Sequence, residues 1–493
     1  MSSIWLLLPI LLPILCGAAS KLVHFRKKWA RELFLMLPIT AVSVLVWVLI
    51  LHRPEEGLML FRFTRNLSIT LRLDGFGAFF AAIVATLWPI ATIYAFEYMR
   101  HEERTDSFFL FYTMTYGITL GITFAGNLLT LYFFYELLTL VTVPLVMFPM
   151  TRDAVYSARK YLYFSLGGTA LAFIGLVFII VYGGGDAFLP GGVLGLTVGR
   201  ERTLMQVVYL LAFCGFGVKA ALFPTHSWLP GAAVAPTPVT ALLHAVAVVK
   251  SGVFAIARMT YFSFGPTLIA GSWAQYAALS IALFTILYGS SIAARERHFK
   301  RRLAWSTVSN LSYIVFGFLL LTPEGLGAGM MHMLFHAFMK ITLFYCAGAV
   351  LHQMGREHVA DLDGLGRRMT VTFVCYTVSA LALTGIPPLS GFYSKFLLGS
   401  AGIAGGSVMG VIGLAVLLAS ALLTAIYALQ PAIHAFLPQN QAPLPSVGVR
   451  DPNWYMLFPI VATTLVTVLL GVCSDEIFAI ISRIAAACFG GAL

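Results

Sequence analysis

The sequence predicts an all-α membrane protein of about 14 transmembrane helices, with a broken helix in each half. Three observations carry this. Of 493 residues, 59% are hydrophobic and 10% are charged, whereas a soluble domain carries about 25% charged residues. Apolar runs of about 20 residues, the length that crosses a bilayer core, recur along the whole chain. Only helices and closed barrels satisfy their backbone in lipid, and these runs are too long and too uniformly apolar for barrel strands.

The first span, 4–20, lies in "MSSIWLLLPILLPILCGAAS" and is followed by the basic "KLVHFRKKWAR". A signal peptide carries its charge before the apolar run, and here it follows. A first transmembrane helix with its N-terminus outside is expected. The remaining spans are 32–51, 74–99, 107–125, 127–149, 158–182, 204–223, 238–260, 273–293, 303–321, 326–352, 370–398, 406–435 and 454–473. Loops expected on the cytoplasmic side then hold 19 of the 31 Lys and Arg. Eight lie on the outer side: Arg53, Arg62, Arg65, Arg72, Arg200, Arg202, Arg258 and Arg483. The positive-inside rule supports this orientation, with both termini outside. The 52–72 loop, with four arginines, is the one discordant segment. Basic loops also account for the net charge of +11 without a nucleic-acid partner. The longest polar loops, 183–203 and 436–453, leave no room for a soluble domain.

The other four lysines, Lys219, Lys250, Lys340 and Lys395, lie within spans, and Glu136 is the acid placed deep in one. A charge at the bilayer centre costs at least a few kcal/mol, and such residues pair inside the bundle or mark ion and proton paths. Lysine can exchange its proton in response to burial and a neighbouring carboxylate, whereas arginine stays protonated. A set of mid-span lysines therefore suits a proton relay better than fixed structural charge. In "HMLFHAFMKITLFY", His332, His336 and Lys340 are spaced i, i+4, i+8, which on a helix makes one slightly drifting stripe about 12 Å long. Histidine titrates near neutral pH. In "LLHAVAVVKSG", His244 and Lys250 are six apart and do not share a face.

Two spans are interrupted. "GVKAALFPTHSWLPGA" carries Pro224 and Pro230, and "LTGIPPLSGFYSKF" carries Pro387 and Pro388. Proline removes a backbone donor, and in lipid the freed groups need a cavity or partners. Broken helices in corresponding halves point to an inverted-repeat transporter. Lys219 and Lys395 lie close to the two breaks. The cysteines, Cys16, Cys214, Cys346, Cys375, Cys473 and Cys488, form no CxxC pair and no cluster with histidine, so neither zinc nor an iron–sulfur cluster is expected on this chain.

Over about residues 70–435 the chain resembles the antiporter-like membrane subunits of respiratory complex I, the related Mrp-type cation/proton antiporters and membrane-bound hydrogenases. "LLTLYFFYELLTLVTVPL" is similar to the family's fifth helix. "GFGVKAALFPTHSWLPGAAVAPTPVTALLHAVAVVKSGVFAIAR" is similar to its seventh and eighth, "KRRLAWSTVSNLSYIVFG" to its tenth, "HMLFHAFMKITLFYCAGAV" to its eleventh and "LTGIPPLSGFYSKF" to its twelfth.

The resemblance implies an N-terminal part of three helices (1–106), two inverted five-helix repeats (107–260 and 261–435), and a last helix with a short tail (436–493). It implies an ion pair between Glu136 and Lys219, a central proton carrier at Lys250 with His244 beside it, a hydrated axis through His332, His336 and Lys340, and a terminal site at Lys395. It implies proton (or sodium) translocation inside a multisubunit, redox-driven complex in a bacterial or archaeal cytoplasmic membrane. Iron–sulfur clusters or other redox centres would sit on partner subunits. The alternative is a subunit of an Mrp-type Na+/H+ antiporter without redox partners. The chain runs about 20 residues past the last span, so the long lateral helix of the largest complex I subunit is expected to be missing. The sixth-helix region, "KYLYFSLGGTALAFIG", has no acid.

Overall fold

The computed structural model describes residues 2–23, 25, 27–64, 67–195, 199–437 and 450–490. Four helices, α1 (Leu8–Leu22), α2 (Lys28–Leu51), α3 (Gly75–Tyr98) and α4 (Thr105–Thr123), precede α5 (Leu128–Val146) and the long α6 (Arg152–Gly183). Then come α7 (Arg200–Gly217), the short α8 (Trp228–Gly231), α9 (Thr237–Ala245), α10 (Val248–Arg258) and the short α11 (Pro266–Ile269). The second half holds α12 (Trp273–Arg295), α13 (Phe299–Leu319), α14 (Pro323–Met354), α15 (Thr370–Thr384), α16 (Ser390–Ala404), α17 (Val408–Phe436), α18 (Trp454–Val472) and α19 (Ser474–Ala487). Among the described residues, nine helices are long and apolar enough to cross a membrane, with Leu8–Leu22 and Thr370–Thr384 as shorter apolar helices. The helical membrane class expected from composition is therefore what the chain adopts, but length and hydropathy do not by themselves establish a count of 14. The breaks explain part of the difference, since α15 and α16 each have only 15 residues.

One element departs from the all-α expectation. In the 52–72 segment, β1 (Leu58–Thr64) pairs antiparallel with β2 (Leu67–Leu71), with Met59 opposite Thr70 and Phe61 opposite Ile69. The Gly126 N–H donates to the Thr70 carbonyl (2.8 Å), and Asn127 Nδ2 donates to the Ser68 carbonyl (2.7 Å). The start of α5 thus supplies polar partners that an isolated two-stranded hairpin lacks. Asn127 also caps α5 by accepting from the Thr130 N–H.

The core is built around α14. Its first turn carries a capping Thr322, whose Oγ accepts from the Gly325 N–H (3.0 Å), and Pro323 at the first helical position, where its missing N–H costs nothing. It ends at Gly355 in the left-handed region (φ 64°). Between these, α14 is almost wholly buried against α9, α13, α15, α16, α18 and α19.

Both breaks expected from proline are present. Between Gly217 and α9 the chain is irregular apart from the short α8, and Trp228 Nε1 donates to the freed Val218 carbonyl (2.7 Å), while Thr285 accepts from the Phe223 N–H (3.0 Å). Between Thr384 and Ser390 the second break turns at Gly385 (φ 95°). A third break, at Val246–Ala247 between α9 and α10, has no proline or glycine within it and was not expected.

Candidate functional site

Lys219, Lys250, Lys340, His244, His332 and His336 are each 0% exposed, so these polar groups must find partners inside the protein. The helices bring several of them into direct contact. Lys250 Nζ lies 2.6 Å from His336 Nδ1. The His336 and His332 rings are 5.9 Å apart, as the i, i+4 spacing requires. His332 is held at both ends, with Nδ1 3.0 Å from Ser394 Oγ and Nε2 3.2 Å from Asn310 Oδ1. Asn310 in turn donates to the Ser306 carbonyl (2.7 Å). Lys340 Nζ donates to the Leu303 carbonyl (2.9 Å) and to Ser306 Oγ. A polar strip thus runs from Lys250 through α14 to α13 and to Ser394 on α16, hydrogen-bonded except between the His336 and His332 rings.

Lys395, next to Ser394, donates to the carbonyls of Leu383 (2.7 Å) and Thr384 (3.0 Å). These are the last residues of α15, so the ammonium sits on the negative, carbonyl end of that half-helix. Its Nζ also lies 5.4 Å from the Tyr313 ring centroid, and Tyr313 stacks on His332. The third break has a comparable effect on Lys250. It bends α9 away from α10, so that Lys250 Nζ comes within 3.4 Å of the His244 carbonyl although the two residues are six apart. The His244 ring stacks on Phe344 at 4.7 Å, and neither ring nitrogen has a protein partner.

The expected Glu136–Lys219 ion pair is not formed in this structure. Lys219 Nζ donates to the Tyr135 carbonyl and lies 3.6 Å from the Tyr135 ring centroid, a cation–π contact. Glu136, the next residue, is displaced about 100° around α5 and is only half-buried.

Sequence reasoning missed several polar groups. Ser306, Asn310 and Tyr313 line one face of α13, and their i, i+4 and i, i+7 spacing inside an apolar span was the available signal. Lys300, assigned to a basic loop, is 6% exposed and donates to the Ala235 carbonyl (3.1 Å). Arg302 is also buried and donates to Gln430 Oε1 (2.6 Å). Arg258, counted among the outer-side charges, is 0% exposed. Its guanidinium holds both oxygens of Asp74, at 2.5 and 2.6 Å, clamping α10 to the first turn of α3. The buried cations are therefore not all lysines.

The model of the family described as "NADH:quinone oxidoreductase/Mrp antiporter, TM" matches residues 125–424. The model described as "NADH-Ubiquinone oxidoreductase (complex I), chain 5 N-terminus" matches residues 63–109. The chain is 35% identical over 335 residues to a probable K(+)/H(+) antiporter subunit of Rhizobium meliloti, covering 67% of this chain and 32% of that protein. It is 32% identical over 356 residues to NADH-quinone oxidoreductase subunit L of Rickettsia felis, covering 70% of this chain and 53% of that protein. It thus spans about a third to a half of these relatives. Its fold superimposes with a TM-score of 0.85 on a chain of the membrane-bound sulfane sulfur reductase, an archaeal respiratory membrane complex, at 22% identity, covering 99% of this chain and 98% of the other. Because the first family model covers more than half of its length and includes every residue of the buried strip, the chain belongs to the NADH:quinone oxidoreductase/Mrp antiporter transmembrane family.

Proposed function

We propose that the chain is the proton- (or sodium-) translocating, antiporter-like membrane subunit of a multisubunit redox-driven complex, complex I-like or membrane-bound-hydrogenase-like. The observation that carries this reading is the Lys250–His336 contact, two proton-exchanging groups 2.6 Å apart and fully buried. A proton on Lys250 can pass to His336 Nδ1. From the other side of that ring, Nε2 has no protein partner. A buried nitrogen left unpaired costs about 1–3 kcal/mol, so a water on His336 Nε2 is the natural next member of the wire, and it reaches His332 when that ring releases Asn310 or Ser394. Beyond His332 the path continues past Ser394 to Lys395, the terminal site. Lys340 and His244 flank the wire, and Lys219 with Glu136 feeds it from the first break. Motion of the Lys219 ammonium between the Tyr135 carbonyl and the Glu136 carboxylate would change the charge felt by Lys250.

On this reading the chain has 14 spans in the order of its elements: three N-terminal helices (1–106), inverted repeats 107–260 and 261–435, and the last helix (436–493). It lies in a bacterial or archaeal cytoplasmic membrane with both termini outside. Its partners are other antiporter-like membrane subunits and a redox arm carrying the iron–sulfur or other redox centres. The second reading is an Mrp-type antiporter subunit without redox partners, favoured by the identity with the K(+)/H(+) antiporter subunit.

The test combines composition and transport. The native complex, extracted through a tag on this chain, is expected to carry iron–sulfur absorbance and redox subunits. A colourless complex of small membrane proteins would transfer the chain to the second reading. In inverted vesicles, Lys250→Arg keeps the charge but holds its proton. It is expected to preserve assembly and reduce acidification to background, as Lys250→Met does. Full acidification by an assembled Lys250→Arg complex would overturn the wire.

A further inference from the structure

Two cavities at the α3 amino end share residues and form one cleft. The upper, of about 380 Å³, is bordered by Arg53, Asp74, Arg483 and the first turn of α3. The lower, of about 360 Å³, is lined by Ile50 of α2, Phe79 and Ile83 of α3, Phe338 of α14, Leu470 of α18 and Ile481 of α19. Arg53 and Ile484 border both. From Gly75 to Thr86, its extent along α3, the cleft descends about 16 Å, close to half of a hydrocarbon core about 30 Å thick. That is the depth of one leaflet.

The mouth carries unbalanced positive charge. Asp74 is its one carboxylate, and both of its oxygens are taken by Arg258. Arg53 and Arg483 are exposed, and neither is in an ion pair among the described residues. Arg53 lies over Gly75, where an added Cβ would meet its Nη1 at 3.4 Å, so the guanidinium stays at the entrance. Two guanidiniums above an apolar, one-leaflet-deep cleft match a phosphodiester with acyl chains. A quinone, with a neutral head, offers carbonyl acceptors but leaves both charges uncompensated.

We propose that this cleft binds an acidic glycerophospholipid, its phosphate held by Arg53 and Arg483 and an acyl chain lying between α2, α3, α14 and α19. The site accounts for part of the arginine excess in the 52–72 segment, which runs against the positive-inside pattern. It stands independently of the proposed transport activity.

The experiment quantifies lipids and quinone that stay with the tagged, assembled complex through a delipidating detergent wash, by mass spectrometry. The wild-type complex is expected to retain an acidic phospholipid, and the R53Q/R483Q double variant to lose it several-fold. Ala82→Trp, which fills the apolar part without touching charge, is expected to lose it equally, and it answers the question if the arginine variant fails to assemble. Adding back phosphatidylglycerol or cardiolipin, and not phosphatidylethanolamine, is expected to raise the Tm of the washed wild-type complex. Unchanged retention in both variants, retention of quinone or only zwitterionic lipid, or a partner subunit seated in the cleft would overturn the proposal.

Discussion

Each lysine within a span reaches a different class of acceptor: a carbonyl and an aromatic face for Lys219, an imidazole for Lys250, a hydroxyl for Lys340 and a helix end for Lys395. None holds a carboxylate among the described ion pairs. A tight carboxylate pair would fix the proton on the lysine, whereas neutral acceptors leave it exchangeable. The lysines were legible in the sequence because a lone cation in an apolar run has few explanations. Ser306, Asn310 and Ser394 were not, because small neutral polar residues are common in membrane helices and often serve packing alone. Outside the spans, Asp186 in the loop after α6 is buried with Oδ2 lacking a protein partner. Burial pushes its carboxyl up to about 6. A raised acid pKa means that the folded state keeps a proton the unfolded state has lost, so stability should fall as pH rises from about 4 to about 6. Thermal unfolding of the purified complex should show that slope, worth at most about 3 kcal/mol. Asp186→Asn should flatten it and raise the Tm at neutral pH.

At the scale of elements, the breaks decide which groups meet. The two proline-marked breaks could be read directly, since proline cannot continue a hydrogen-bond ladder. The break at Val246–Ala247 could not, because no residue there is a helix breaker. The helix before it, α9, packs against α3 and α14, contacts that a reading of local sequence does not contain. The hairpin of β1 and β2 was missed because its short alternation was submerged in a loop read for its charge. The closest approach at the second break involves Gly391, whose position leaves no room for a Cβ against the Ala382 carbonyl at the end of α15. Gly391→Ala should force the half-helices apart, costing about 1–3 kcal/mol, and move the α15 carbonyl end away from Lys395. Proton uptake by vesicles should drop while the Lys250–His336 contact remains. Normal uptake with wild-type stability would show that the close approach is incidental.

Across the whole molecule, the architecture follows from composition and proline placement, but two buried cations make tertiary contacts that composition concealed, Arg258 within the first half and Lys300 between the halves. Arg258 looked like an outer-loop charge because it falls near a span end, and Lys300 was hidden inside the run "KRR". Lys300 begins α13, yet its ammonium satisfies the Ala235 carbonyl in the irregular stretch before α9. Residues 1–264 therefore do not contain all the partners their own backbone requires. In lipid an unpaired buried carbonyl costs several kcal/mol, so that fragment should insert but remain protease-sensitive around Ala235. Co-expression with 265–493 should protect it, and co-expression with a Lys300→Met version of that second piece should not. A fragment that is protected alone would contradict this. The two stretches behave less like modules joined end to end than like a garment whose seam is stitched from the far side: neither piece is finished until the other has been cut and sewn.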